Sequence, residues 1–378
     1  MRGAWRFVAD HYLVVAIGGA LALIWANTDP ERYFRFANAC AFAVNEIGMA
    51  LVLAFLAQEV VEAGLPGGSL HPFSRAIVPL IGGVGGTVGA AIAYFAYLAL
   101  GDEQILARGW PVSGAADLIV ALAVARAIFG RGPAVAVAVI IALTSDVIGL
   151  LIISGQHLVA HVHPAAAVLV VIGAGVAALL RRHGVVSSTP YVVLGGTLSW
   201  LGCYWSGIQP VLSLLPIVPF LRHAPRDLTI LDEDQPEHHT ATHFESAFEA
   251  PAQVIAFLFG LVNVGIGLRG LDTGTWAVAV ASLVGRPAGT LMAITVATLA
   301  GFKLPRRTGW KEAVVAALAS APTAVYGVLM AVSIFPVGPL LVQTKLGAIA
   351  TVIGLLPAFA AARLLSVGRF AVGGMRHP

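Results

Sequence analysis

The chain has 378 residues, 58% of them hydrophobic and only 11% charged, with a mean hydropathy of +0.88. A water-soluble domain carries about 25% charged residues, so the composition excludes a soluble enzyme or binding module and leaves no sizeable soluble domain between spans. The net charge of +3 comes from bases scattered singly, which fits loops flanking a membrane and argues against nucleic acid as a partner.

The first stretch, MRGAWRFVADHYLVVAIGGALALIWAN, has the basic start and apolar run of a secretory signal. No small-x-small cleavage site follows, so it is read as a retained first span. Hydropathy predicts spans over 11–27, 38–63, 76–99, 112–129, 133–153, 165–180, 189–204, 207–221, 247–268, 274–299, 312–334 and 341–364. Several are shorter than the ~20 residues a straight crossing needs, so they are broken or packed inside the bundle. With both termini cytoplasmic, fifteen Lys and Arg fall on that side and four (Arg32, Arg35, Arg108 and Arg269) outside, the bias expected of an inner-membrane protein. Arg126, Arg286 and Lys345 remain within or at the edge of the membrane. Cys40 and Cys203 fall near the outer face and are read as free thiols, which excludes a thiolate metal site.

The glycine run IGGVGGTVGA (81–90) lacks the Lys-Ser/Thr of a phosphate loop and lies mid-span. Gly82/Gly86 and Gly85/Gly89 are small-xxx-small pairs that let helices approach closely.

From Trp110 to Gln156, two apolar segments meet at the turn Gly130-Arg131-Gly132-Pro133, each with a carboxylate deep inside: Asp117 and Asp146. A charge there costs ~2.5–3.5 kcal/mol on insertion scales. Ser113 and Gly114 just before Asp117 offer a place for the helix to break. Two carboxylates beside a break suit a cation or proton pathway; the plain structural alternative is two neutral or paired carboxyls that hold helices together. A second break is expected at Pro322 in SAPTAVYG (320–327), since interrupted helices at membrane depth are tolerated only where buried or lining a cavity. Each break is in the middle member of a three-span group, 76–153 and 274–364, the pattern of inverted-repeat transporters.

The longest polar segment, 223–249 on the cytoplasmic side, gathers His238, His239, His243, Glu245 and Glu249 among other acids. It is a solvated loop or, since histidines among carboxylates titrate near neutrality, a pH-responsive funnel. His157, His161 and His163 lack a fourth ligand and read as a polar loop.

On these residues the chain resembles the NhaA-type sodium/proton antiporters. Trp110 to Asp117 is similar to the family's Trp…Ala-Ala-Thr-Asp stretch, NEIGMALVLAFLAQEV (45–60) to Asn-Asp…Met-Ala…Leu-Glu-Val, LVNVGIGLRG (261–270) to Asn-Ala-Gly-Val-Ser-Leu-Gln-Gly, and VGRPAGTLM (284–292) to Gly-Lys-Pro-Leu-Gly. The resemblance covers nearly the whole chain. It implies an all-α polytopic membrane protein of about 12 helices, a single transporter domain with two broken, crossing helices. It further implies sodium (or lithium) for proton exchange by alternating access, no cofactor, no enzymatic activity, the bilayer and the two ions as partners, and a homodimer.

The departures fall on the implied ion site. Ala116 replaces the Thr before the first Asp, Arg286 replaces a buried Lys, Gln209 replaces a His, and the adjacent Asp pair is reduced to Asp146 in Thr144-Ser145-Asp146. Aligned on Gly149, Asp146 falls on the first Asp of the pair, the one implied to meet the Lys; aligned on chemistry, it is the ion-binding member, the reading favoured here. The expected ion ligands are Asp117 and Asp146, with Thr144 and Ser145 as hydroxyl ligands and Arg286 as compensating charge. One carboxylate opposite a fixed positive charge implies electroneutral exchange. The rival readings are an organic-anion carrier using Arg286 on its substrate and a non-transporting membrane sensor.

Overall fold

The computed structural model describes residues 14–101, 104–130, 132–157, 163–221, 240–267, 271–335 and 337–371. Among them the main elements are α1 (Val14–Thr28), α2 (Pro30–Gly64), α3 (Ile77–Gly101), α4 (Trp110–Gly114), α5 (Leu118–Phe129), α6 (Pro133–His157), α7 (Val168–Arg182), α8 (Thr197–Ser206), α9 (Thr240–Asn263), α10 (Thr273–Leu299), α11 (Trp310–Ala319), α12 (Ala324–Ile334) and α13 (Pro339–Leu364). A helix closes its backbone hydrogen bonds internally, which hydrocarbon surroundings require. Six described helices are long and apolar enough to cross a membrane, and eight if each bent pair is one span. The bends are 45° between the segment ending in α4 and α5, and 48° between α11 and α12.

Eleven of the twelve expected spans fall on helices. The exception is 207–221, which forms short 3-10 turns over Pro210–Leu214 and Val218–Phe220. Pro210, Pro216 and Pro219 explain this, because each lacks a backbone donor and clashes with the preceding turn of an α-helix.

The chain divides into two compact units. One holds the described residues of 69–149 and from 268 onward, hence α3 to α5, α6 as far as Gly149, and α10 to α13. Here α3 and α10 touch through glycines. A Cβ on Gly85 would lie 2.7 Å from the Gly289 oxygen, one on Gly89 2.4 Å from the Gly285 oxygen, and one on Gly289 2.3 Å from the Gly85 oxygen. Backbone against backbone is the arrangement small-xxx-small spacing permits. A π turn over Ala281–Gly285 then re-aims the helix immediately before Arg286.

The other unit holds 14–68 and 150–267. α1 and α9 meet in the same manner, a Cβ on Gly260 falling 2.2 Å from the Val15 oxygen. A π turn over Ala43–Gly48 interrupts α2. There Asn45 and Asn263 exchange side-chain hydrogen bonds of 3.1 and 2.8 Å, which joins two of the stretches that carried the resemblance. Cys40 and Cys203 are both free thiols.

The α3–α10 contact makes a direct prediction. Gly89→Ala should lower the thermal unfolding midpoint in detergent, an overpacking loss of about 1–3 kcal/mol. Gly64→Ala, with no atom within 4 Å of the added carbon, should leave it unchanged. Equal midpoints for the two variants would contradict a tight α3–α10 seam.

Candidate functional site

The two expected breaks exist, and they touch. Helix α4 ends at Gly114, Ala115 is extended (φ −82°, ψ 147°), and α5 starts after Asp117. Helix α11 ends at Ala319 and α12 resumes at Ala324. Pro322 accounts for the second gap, since it offers no donor and disfavours helical geometry in the residue before it. The Asp117 amide donates to the Pro322 carbonyl at 2.9 Å, so the broken segments are joined backbone to backbone.

Breaking helices inside a bilayer strands amides at each new N-terminus and carbonyls at each new C-terminus. Side chains of the same and of neighbouring helices take them up. Asp117 Oδ1 accepts from the Val120 amide at 3.1 Å, capping its own helix. Its Oδ2 accepts from the amides of Val325 and Tyr326 at 2.9 and 3.2 Å, capping α12 as well. Thr351 Oγ1 accepts the remaining two, from Thr323 at 3.0 Å and Ala324 at 3.1 Å, while donating to the Ala348 carbonyl. At the other polarity, Arg286 Nη2 donates to the carbonyls of Ser113 and Ala115, and Thr87 Oγ1 donates to that of Gly114 at 3.1 Å. The carboxylate thus sits at the positive ends of two helices and the guanidinium at the negative end of a third, as the helix dipole favours.

Asp146 differs. It is fully buried on α6, and neither carboxyl oxygen has a hydrogen-bond partner among the described residues. It lies within electrostatic reach of Asp117, Arg286 and the backbone amides of Ala116 and Leu118 at the break, none of which makes a hydrogen bond to it. No ion pair joins it to Arg286, whereas Arg32 pairs with Asp29 and Arg35 with Glu31 outside the site.

The other expected residues are placed as follows. Ser145 Oγ donates to the carbonyls of Gly83 and Ile141, both at 3.1 Å. Thr144 also faces α3, its Cβ 2.6 Å from where a Cβ on Gly83 would stand. Glu249 is exposed on α9. His238, His239 and the side chains of His243 and Glu245 lie outside the described residues. Sequence reading missed Thr87 and Thr351. Each is a lone hydroxyl in an apolar span, a signal shared with many threonines that merely bond to the preceding turn.

A fold of this kind, with crossed breaks around buried charges, defines a polytopic membrane transporter. The profile of the family described as Na+/H+ antiporter 1 matches residues 9–366. The chain is 36% identical over 373 residues to the Na(+)/H(+) antiporter NhaA of Desulfitobacterium hafniense (strain DSM 10664 / DCB-2), covering 96% of each chain. It is 35% identical over 388 residues to that of Geobacter metallireducens, covering 98% of this chain and all of the relative. Similarity extends to the NhaA of Jannaschia sp. (strain CCS1) at 31% identity, covering 92% and 94%. This chain belongs to the Na+/H+ antiporter 1 family. That membership leaves the organic-anion and sensor readings without support.

The capping of α12 is open to test. Thr351→Val orphans two buried amides, at about 1–3 kcal/mol each, and should lower thermal stability in detergent; Thr351→Ser should restore it. A Val variant as stable as wild type would show that these amides find other acceptors.

Proposed function

We propose that this protein exchanges sodium for protons by alternating access, and that Asp146 is the group at which the two ions compete. The observation that supports this best is the condition of its carboxyl, buried in a membrane-spanning helix with neither oxygen hydrogen-bonded among the described residues. An ionised carboxylate so placed is costly, so it requires either a proton or a cation. A site that demands one of two ions and cannot hold both couples their movements.

Asp117 is proposed as the fixed negative charge of the site. Three backbone amides engage its oxygens at the positive ends of two helices, and in this reading it stays ionised through the cycle. Arg286 is the fixed positive charge, because a guanidinium keeps its proton at any working pH. Sodium is a hard cation that takes oxygen ligands, and the Asp146 oxygens are the free carboxylate oxygens at the crossing. Ser145, bonded to two carbonyls, sets the height of α6 against α3 in this reading and Thr144 packs beside it. The lack of an ion pair between Asp146 and Arg286 supports the register in which Asp146 is the ion-binding carboxylate.

Charge then sets the stoichiometry. Asp117, Asp146 and Arg286 sum to one negative charge when the site is empty, and one sodium or one proton brings the sum to zero. Both loaded forms are neutral and each can cross; the empty form is charged and is held back. The exchange is therefore one for one and electroneutral. The distribution of Lys and Arg supports an orientation with both termini on the cytoplasmic side of the bacterial inner membrane.

Asp146→Asn should abolish sodium/proton exchange in proteoliposomes without loss of folding. In wild type the apparent KM for sodium should rise as pH falls, approaching tenfold per unit, since protons occupy the same carboxyl. A potassium-diffusion potential imposed at zero pH gradient should not alter sodium flux, although a transported net charge would gain ~2.3 kcal/mol per 100 mV. Flux that follows the sign of the potential would contradict one-for-one exchange.

A further inference from the structure

Ser282, Arg286 and Thr290 recur every four residues along α10, and all three are fully buried. Four of their polar atoms, Ser282 Oγ, Arg286 Nε and Nη1, and Thr290 Oγ1, have no protein partner among the described residues. Each such atom costs about 1–3 kcal/mol if left dry. Buried polar groups left without protein partners are commonly served by water, which takes two to four polar partners.

This stripe borders the segment that carries Asp146. A Cβ on Gly86 would stand 2.5 Å from Thr290 Oγ1 and 3.3 Å from Arg286 Cγ, so both residues lie against that turn of α3. Three residues earlier, the Gly83 carbonyl accepts from Ser145 Oγ at 3.1 Å, one residue before Asp146. One turn of α3 is therefore a wall common to Arg286 and Thr290 and to the segment that carries Asp146, and Arg286 is the positive charge that Asp146 feels.

We propose that Ser282 and Thr290 line a hydrated proton path along α10 that serves Asp146. Arg286 does not release its proton, so it cannot itself be a relay station. A hydroxyl can. It accepts a proton on an oxygen lone pair and passes its own hydrogen to the next oxygen, and at the end of the chain the Asp146 carboxylate gains an O–H bond. Bulk water on the side to which the site is open is the first donor, and the same chain run backwards carries the proton away.

The proposal rests on Asp146 being the competition site, and two transport assays separate them. Sodium/sodium exchange needs the ion site and its alternating access but no proton, whereas sodium/proton exchange needs the path too. Wild type should run both in proteoliposomes and Asp146→Asn neither. The double variant Ser282→Ala, Thr290→Val keeps the helix surface and removes both hydroxyls. It should slow sodium/proton exchange by about tenfold or more, the scale of a lost proton-transfer group, with sodium/sodium exchange unchanged. Thr290→Val alone should show part of that loss, and Thr290→Ser should transport as wild type does. Equal losses in both assays, or no loss in either, would overturn the proton path. Persistence of sodium/sodium exchange in Asp146→Asn would instead remove the ion-site reading and the path with it.

Discussion

The rest of the site depends on one constraint: a helix broken inside a bilayer must find partners for the backbone groups it exposes. Water is not at hand in hydrocarbon, so the partners are side chains of the same and of neighbouring helices. Asp117 serves two N-termini at once and Thr351 completes the second. Arg286 and Thr87 serve the C-terminal carbonyls of α4. For Arg286 to reach those carbonyls, α10 must lie backbone against backbone on α3, which only the glycines at 85, 89, 285 and 289 allow. The glycine seam and the charged crossing are therefore one device.

That device divides the labour of three charged residues. Two of them are spent on helix ends and form part of the scaffold. The third, Asp146, is brought among them without a hydrogen-bond partner among the described residues. Arginine suits its post better than lysine would, because a buried guanidinium keeps its charge fixed where a buried ammonium readily loses its proton. A fixed charge also removes a second carrier of protons, which is why the proposed exchange moves one proton per sodium.

Much of this was legible in the sequence. Gly114 and Pro322 marked the breaks, because both residue types weaken a helix whatever surrounds them. The spacing of Gly82, Gly85, Gly86 and Gly89 marked a face for close approach. Asp117, Asp146 and Arg286 stood out because charges at membrane depth are expensive. The different surroundings of the two aspartates were not legible. They hang on which backbone amides a segment 208 positions away presents to Asp117, a fact of tertiary structure with no local signature. Thr351 was hidden for the same reason. The span expected at 207–221 failed because hydropathy registers apolar residues and ignores that three of them are prolines.

The central claim, that one carboxyl holds either a proton or a sodium ion, is tested most directly by counting protons released when sodium binds to the purified protein in weakly buffered detergent solution. The account predicts one proton per sodium bound, and none from Asp146→Asn. Release of two protons per sodium, or release that persists in Asp146→Asn, would contradict it.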